Sequence, residues 1–279
     1  RRDIFSLFTR QKVIRRLPFL CEKRGYYEIT NADVIGYDFF FHNSYHQSQA
    51  LKTALYVYPG LVDTRRITLL CKAVSGMIVT QNRLFPDPFC FSGIRDYHPS
   101  DPMHTINWKA SAKGQGLLVN QYDSATSIRM RIILDTEDSG ILRQEELTEE
   151  GIRIAASLSS RIVKERMELT VTGNGMNTIC LKEGAGQIQT LFQELSRINI
   201  RKPVKRLTEE LKGEREHLQS DIIYVIVSKN QDSETVRGVA SMAEKGIRIL
   251  WVIPLRSSAE YTAGTIKGVN IFKWEMNAS

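Results

Sequence analysis

The sequence predicts an α/β protein: an open, mostly parallel sheet with flanking helices, preceded by a small antiparallel β-rich segment. Three observations carry that expectation. Residues 128–135 (IRMRIILD), 221–228 (DIIYVIVS) and 247–253 (IRILWVI) are runs with long apolar stretches, the pattern of strands covered on both faces. Apolar residues at helical spacing lie between them, so strands alternate with helices through right-handed crossovers. Before residue 60 the runs are short, closely spaced and ended by turn residues, as in a small sandwich or partial barrel.

Taken in order, residues 3–8, 12–20 and 25–30 are β-rich, then 37–41 (YDFFF) and 51–58 (LKTALYVY), which Pro59-Gly60 stops. Residues 61–90 are less regular, with 67–74 readable as a strand or a short helix and 83–88 as a loop. After the strand at 128–135, Thr148 is the expected N-cap of a helix with Glu149 and Glu150 in its first turn. Ile152, Ala155, Ala156, Leu158, Ile162 and Val163 form its apolar stripe. Residues 168–172 read as a strand and Gly173-Asn174-Gly175 as a turn. Ile188, Leu191, Phe192 and Leu195 mark a second helix, and 204–218 a charged surface helix. A helix starting near Asp232 ends at Gly246, and 269–274 is an edge strand. The expected division is a β-rich segment over 1–90, a linking motif loop over 91–126 and an α/β domain over 127–279.

At 279 residues the chain is long enough for two domains of ~100–200 residues each. Its apolar runs fall short of the ~18–20 residues of a membrane span. It begins at Arg1 rather than Met, as expected of a fragment or a processed chain. The net charge is +7, and eight basic residues against Asp3 and Glu22 place +6 of it in residues 1–24. Two readings of that start stand side by side: a surface for anionic lipid headgroups, or a β-hairpin edge blunted by charge. With the rest near neutral and no nucleic-acid-binding motif, nucleic acid is not an expected partner. Cys21, Cys71, Cys90 and Cys180 are far apart and lack zinc-ligand spacing, as expected of buried free thiols in a reducing compartment. The chain has no G-x-x-x-x-G-K-S/T, and Gly173-x-Gly175 lacks the third glycine of a dinucleotide loop.

One stretch concentrates the chemistry. Arg95, Asp96, Tyr97, His98, Asp101, His104, Asn107, Trp108 and Lys109 fall in a short loop. Arg95 and Asp101 are close enough in sequence for a charge-assisted bridge that braces it. Trp108 supplies a large apolar face, and Lys109 or Arg95 can lie on an aromatic ring. The pattern Arg95-x-Tyr97, Asp101, Ile106-x-Trp108-Lys109-x-Ser111-Ala112 resembles the core motif of the family known as domain of unknown function 58. Arg24-Gly25-Tyr26-Tyr27, Tyr58-Pro59 and the strand ending at Asp135 are similar to further features of that family. Ser100 and His104 stand where the family has glycine and arginine.

The resemblance implies a β-rich segment joined to a von Willebrand factor A-like α/β domain. It implies the soluble, cytoplasm-facing part of a membrane-anchored protein, with the membrane surface near its N-terminus. The implied partner is a MoxR-type AAA+ ATPase, with a membrane transglutaminase-like protein as a second. The implied role is non-enzymatic, an adaptor in complex assembly or maturation. For the motif residues Arg95, Tyr97, Asp101, His104, Trp108 and Lys109, three readings remain: a latch between the two parts, a docking surface, or a catalytic site. The last would use Asp101, His104 and Ser111, or Cys90, His98 and Asp101, as a hydrolase. No G-x-S-x-G elbow surrounds Ser111, and residue types alone do not define a nucleophile with its oriented base. A metal-dependent adhesion-type module is a further alternative. Metal-binding domains of the von Willebrand A type carry D-x-S-x-S after the first strand; here Asp135, Glu137 and Ser139 stand at those positions. Such a degenerate set would hold Mg²⁺ with waters, although Lys229, in the loop after 221–228, works against a cation there.

Overall fold

The computed structural model describes residues 4, 6, 10–14, 16, 20–38, 40, 42–84, 91–99, 101, 103, 106–112, 116–122, 129–138, 143–165, 167–182 and 185–276. These form two compact units, residues 1–57 and 58–279. The first is built on one long hairpin. Strand β1 (Gly25–Tyr37) pairs antiparallel with β2 (Ser44–Val57), with a register shift between Ile29 and Asn31. Tyr26 and Tyr56 face each other with ring centroids 4.9 Å apart. At the hairpin end, Asp38 accepts from the backbone N–H groups of His42 and Asn43. A small sandwich or partial barrel was expected here; among the described residues of this unit, these two strands are the sheet. Of the YDFFF run, Tyr37 ends β1 and Asp38 turns the chain, while Phe39 and Phe41 lie outside the described residues.

The second unit starts at Tyr58. Helix α1 (Thr64–Leu84) occupies most of the stretch expected to be less regular, while residues 85–90, with most of the loop expected over 83–88, lie outside the described residues. Asp63 initiates it, its carbonyl accepting from the Arg66 and Ile67 N–H groups. Ile67, Leu70, Val74 and Met77 fall three and four residues apart and are buried, which puts them on one helical face. That face joins the core of the α/β sheet rather than a β-rich segment. The expected boundary at residue 90 therefore differs from the structural division, because α1 finds its apolar partners in the second unit. The Ser157 hydroxyl accepts from the Val62 N–H at 2.8 Å and fixes the approach to α1.

Residues 91–122 form a small substructure. Strand β3 (Phe91–Asp96) pairs antiparallel with β4 (Leu118–Tyr122), and the short helix α2 (Trp108–Ser111) lies between them in sequence.

The α/β part contains β5 (Arg129–Leu134), α3 (Glu145–Lys164), β6 (Glu168–Gly173), β7 (Met176–Leu181), α4 (Ala185–Arg197), α5 (Leu207–Glu216), β8 (Ile222–Val227), α6 (Ser233–Ala243), β9 (Arg248–Leu255) and β10 (Val269–Glu275). The strand order is β10-β9-β8-β5-β6-β7. All neighbours are parallel except β7, which runs antiparallel to β6. This is the doubly wound α/β order that reverses beside the first strand, and it is compatible with a von Willebrand factor A-like fold.

Alternation along the strands builds two cores. Met130, Ile132, Leu134, Ile223, Val225, Val227, Leu250 and Val252 face α1, α3 and α4. Ile133, Tyr224, Ile226, Ile249, Trp251 and Ile253 face α5 and α6. Their near-total burial explains the long apolar runs. Helix α3 starts earlier than expected: Gln144 is its N-cap and Thr148 is buried within it. The expected first-turn acid Glu150 is buried as well, accepting from the Trp274 indole N–H at 2.9 Å and from Arg153 at 2.7 Å. Asp232 does cap α6, accepting from the Thr235 N–H, and Gly246 follows it with φ 74°.

Candidate functional site

Two places concentrate polar chemistry: the motif hairpin, and the sheet edge at the carboxyl ends of β5 and β8. In the hairpin, Arg95 sits on β3 and Asp101 in the turn beyond. The guanidinium donates to both carboxylate oxygens, at 2.7 and 2.8 Å, the bidentate geometry in which such pairs are strongest. Asp101 also accepts from the His98 N–H at 2.9 Å. The Arg95 hydrogen bonds, helped by that N–H, hold the Asp101 carboxyl down to about 2. The brace expected from sequence is therefore present.

The rest of the motif builds the scaffold. Tyr97 donates its backbone N–H to Leu117 O. Asn107 caps α2, accepting from the Ala110 N–H at 2.9 Å, and its amide donates to Asn120 Oδ1 at 2.7 Å. The Ser111 hydroxyl donates to Asn107 O at 2.8 Å and accepts from the Leu118 N–H at 2.9 Å. That hydroxyl ties α2 to β4 and is not presented as a nucleophile. His104 and Cys90, which the hydrolase readings need, lie outside the described residues. Trp108 is 63% exposed. Lys109 is exposed beside it. Ile94, Met103 and Leu117 are exposed in the same substructure.

At the sheet edge the chain reverses between β5 and β8, the position where open α/β sheets bind ligands. Asp135 follows β5 and is 5% exposed. Its Oδ1 accepts from the Glu137 N–H at 2.9 Å and the Asn174 amide at 2.7 Å. Its Oδ2 accepts from the Ser228 hydroxyl at 2.6 Å and the Asn230 amide at 2.8 Å. Lys229 Nζ donates to Asp138 Oδ1 at 2.8 Å and to Glu137 O at 2.9 Å. The Asp138 carboxylate also accepts from the Gln144 N–H at 3.0 Å. Burial opposes its charge, but the Lys229 and Gln144 donors more than offset that, and Asp138 is held below its ordinary value. Glu137 turns its side chain toward the start of α5, accepting from the Leu207 N–H at 3.4 Å.

Of the expected set, Asp135 and Glu137 are described, and both are engaged otherwise. Each oxygen of Asp135 already faces two donors, Glu137 points elsewhere, and an ammonium lies against Asp138. Ser139, the third expected ligand, lies outside the described residues. No cluster of three acidic, His or Cys side chains with metal-binding geometry occurs among the described residues. Sequence reading missed Asn174 as a member of the site. The available signal was an asparagine between two glycines at the carboxyl end of a strand, beside Asp135 in the sheet order. The glycines are needed for that approach: a Cβ at Gly173 would meet Leu134 O at 2.3 Å, and one at Gly175 would meet Thr136 Oγ1 at 2.4 Å.

The thiols depart from expectation. Cys21 and Cys180 are free and exposed, while Cys71 is half-buried, with burial pushing its pKa up. No helix among the described residues is long and apolar enough to cross a membrane.

No protein-family model matches the chain, and no curated protein matches it. Among solved structures it is similar to the conserved hypothetical protein BatB of Bacteroides thetaiotaomicron, at 17% identity. That match covers 46% of this chain and 66% of the other, with a TM-score of 0.30. A likeness of that size carries no argument here, and the architecture stands on the strand order and pairing.

Proposed function

We propose that the chain is a non-enzymatic interaction module whose docking element is the β3–α2–β4 hairpin. The carrying observation is Trp108, held 63% exposed on a scaffold locked by Arg95, Asp101 and Asn107. Exposed indoles on rigid scaffolds are the residues from which interface hot spots are built. Ile94, Met103 and Leu117 supply apolar area around it, and Lys109 a charge. The engaged Ser111 hydroxyl and the saturated Asp135 favour binding over hydrolysis or metal-dependent adhesion. On this reading residues 129–276 are a von Willebrand factor A-like domain that supports the hairpin's role. The partner is a MoxR-type AAA+ ATPase, and the chain is the cytoplasm-facing part of a membrane-anchored adaptor in complex assembly or maturation.

The test is affinity capture from a lysate of the source organism, with and without ATP, using wild type and Trp108→Ala. Captured proteins are identified by mass spectrometry. The proposal expects a AAA+ ATPase retained in a nucleotide-dependent way by wild type and lost by the variant at unchanged melting temperature. An ATPase captured equally by both forms, or by neither, overturns it.

A further inference from the structure

We propose that the Lys229 ammonium is the resident cation of the β5–β8 sheet edge, pairing the Asp138 carboxylate in place of a divalent ion. Four observations lead there. Asp135 and Asp138 are nearly fully buried on the loop after β5, 5% exposed as a residue and 2% as a side chain respectively. Two such carboxylates need compensation, because a buried charge is tolerated only when paired and hydrogen-bonded. The Lys229 side chain is itself 5% exposed and directs Nζ at two oxygens, Asp138 Oδ1 and Glu137 O. The remaining acceptors are closed by fixed donors, with Asn174, Ser228, Asn230 and the Glu137 N–H on Asp135 and the Gln144 N–H on Asp138.

The arrangement has a structural consequence. Lys229 belongs to the loop after β8, Asp138 to the loop after β5, and Gln144 caps α3. The ammonium therefore joins the loops after β8 and β5 across the topological switch point, and the Asp138 carboxylate extends the link to the start of α3. A divalent ion would gather the same loops but would dissociate on chelation. A lysine cannot, so this edge stays assembled at any metal concentration. The inference is independent of what docks at Trp108.

The test compares wild type, Lys229→Met and the double variant Lys229→Met/Asp138→Asn by thermal melt, each with EDTA and with millimolar Mn²⁺. Wild type is expected to melt at one temperature in both solutions. Lys229→Met keeps much of the stem and strands the Asp138 carboxylate. Its melting temperature is expected to fall by about 10 °C, the scale set by breaking a buried pair in a unit of this size. The double variant removes the stranded charge and is expected to regain a large part of that loss. It also keeps the comparison decisive if the single variant does not fold. The proposal is overturned if Mn²⁺ raises the melting temperature of wild type, if Lys229→Met melts like wild type, or if Asp138→Asn restores nothing in its background.

Discussion

Replacing Asp135 with alanine is the sharpest perturbation of the sheet edge. The carboxylate accepts four hydrogen bonds between 2.6 and 2.9 Å at 5% exposure. The two asparagine amides keep a second acceptor, Lys205 O for Asn174 and Glu137 O for Asn230. The Ser228 hydroxyl, 1% exposed, loses the oxygen it donates to. A buried donor stranded in this way costs about 1–3 kcal/mol. The lost charge-assisted bonds to the other donors bring the total to about 3–5 kcal/mol, since hydrogen bonds to a charged group contribute more than neutral ones. Urea unfolding followed by tryptophan fluorescence measures it, since Trp251 and Trp274 are buried in the same unit. Asp135→Asn keeps the shape but turns an NH₂ toward two donors, so it should fall between wild type and alanine. A loss under about 1 kcal/mol for Asp135→Ala, well below the cost expected for such a network, would refute the view of this carboxylate as the hub of the edge.

Gly173→Ala places a methyl 2.3 Å from Leu134 O in the adjacent strand. It should destabilise by about 1–3 kcal/mol or more through overpacking. Gly213→Ala is the control: it meets nothing within 4 Å in α5 and should stabilise by about 0.5–1 kcal/mol. Both read out in the same urea experiment, and equal effects would contradict the packing argument. For Asp101, the folded carboxyl titrates at about 2 against about 3.9 in an unfolded chain. A depressed folded value means its contribution is present above the unfolded pKa and is lost as pH falls through about 2. Carboxyl NMR should show that midpoint, and Arg95→Met should return it toward the ordinary aspartate value. An unchanged midpoint in the variant would remove the bidentate brace from the account.

Much of the α/β part was legible because its signals are local. The runs at β5, β8 and β9 are apolar because both faces are covered, and Asp232 and Gly246 punctuate α6 by cap chemistry. Strand β7 was not recognised: its pattern includes half-exposed and exposed residues, Met176 and Thr178 among them, so no face reads as core. Helix α1 was ambiguous because Ile67, Thr68 and Val74 are β-branched and its core partners lie far along the chain. Thr148 looked like a cap because it precedes two glutamates, whereas tertiary packing lets the helix begin one turn earlier. At the site, Arg95 with Asp101 could be paired from spacing alone. Asn174 could not, since it reaches Asp135 only after β6 has aligned beside β5. Lys229 could be seen as adverse to a metal, but its place against Asp138 is a product of the strand order.

The central claim is that Trp108 is a docking residue. The direct measurement is a titration of purified MoxR-type ATPase onto the immobilised chain in the presence of ATP, with wild type and Trp108→Ala side by side. The account predicts nucleotide-dependent binding by wild type and a Kd weakened by about 30-fold or more in the variant, the hot-spot scale, with its melting temperature unchanged. Equal Kd values for the two forms, or no binding by wild type, would contradict it.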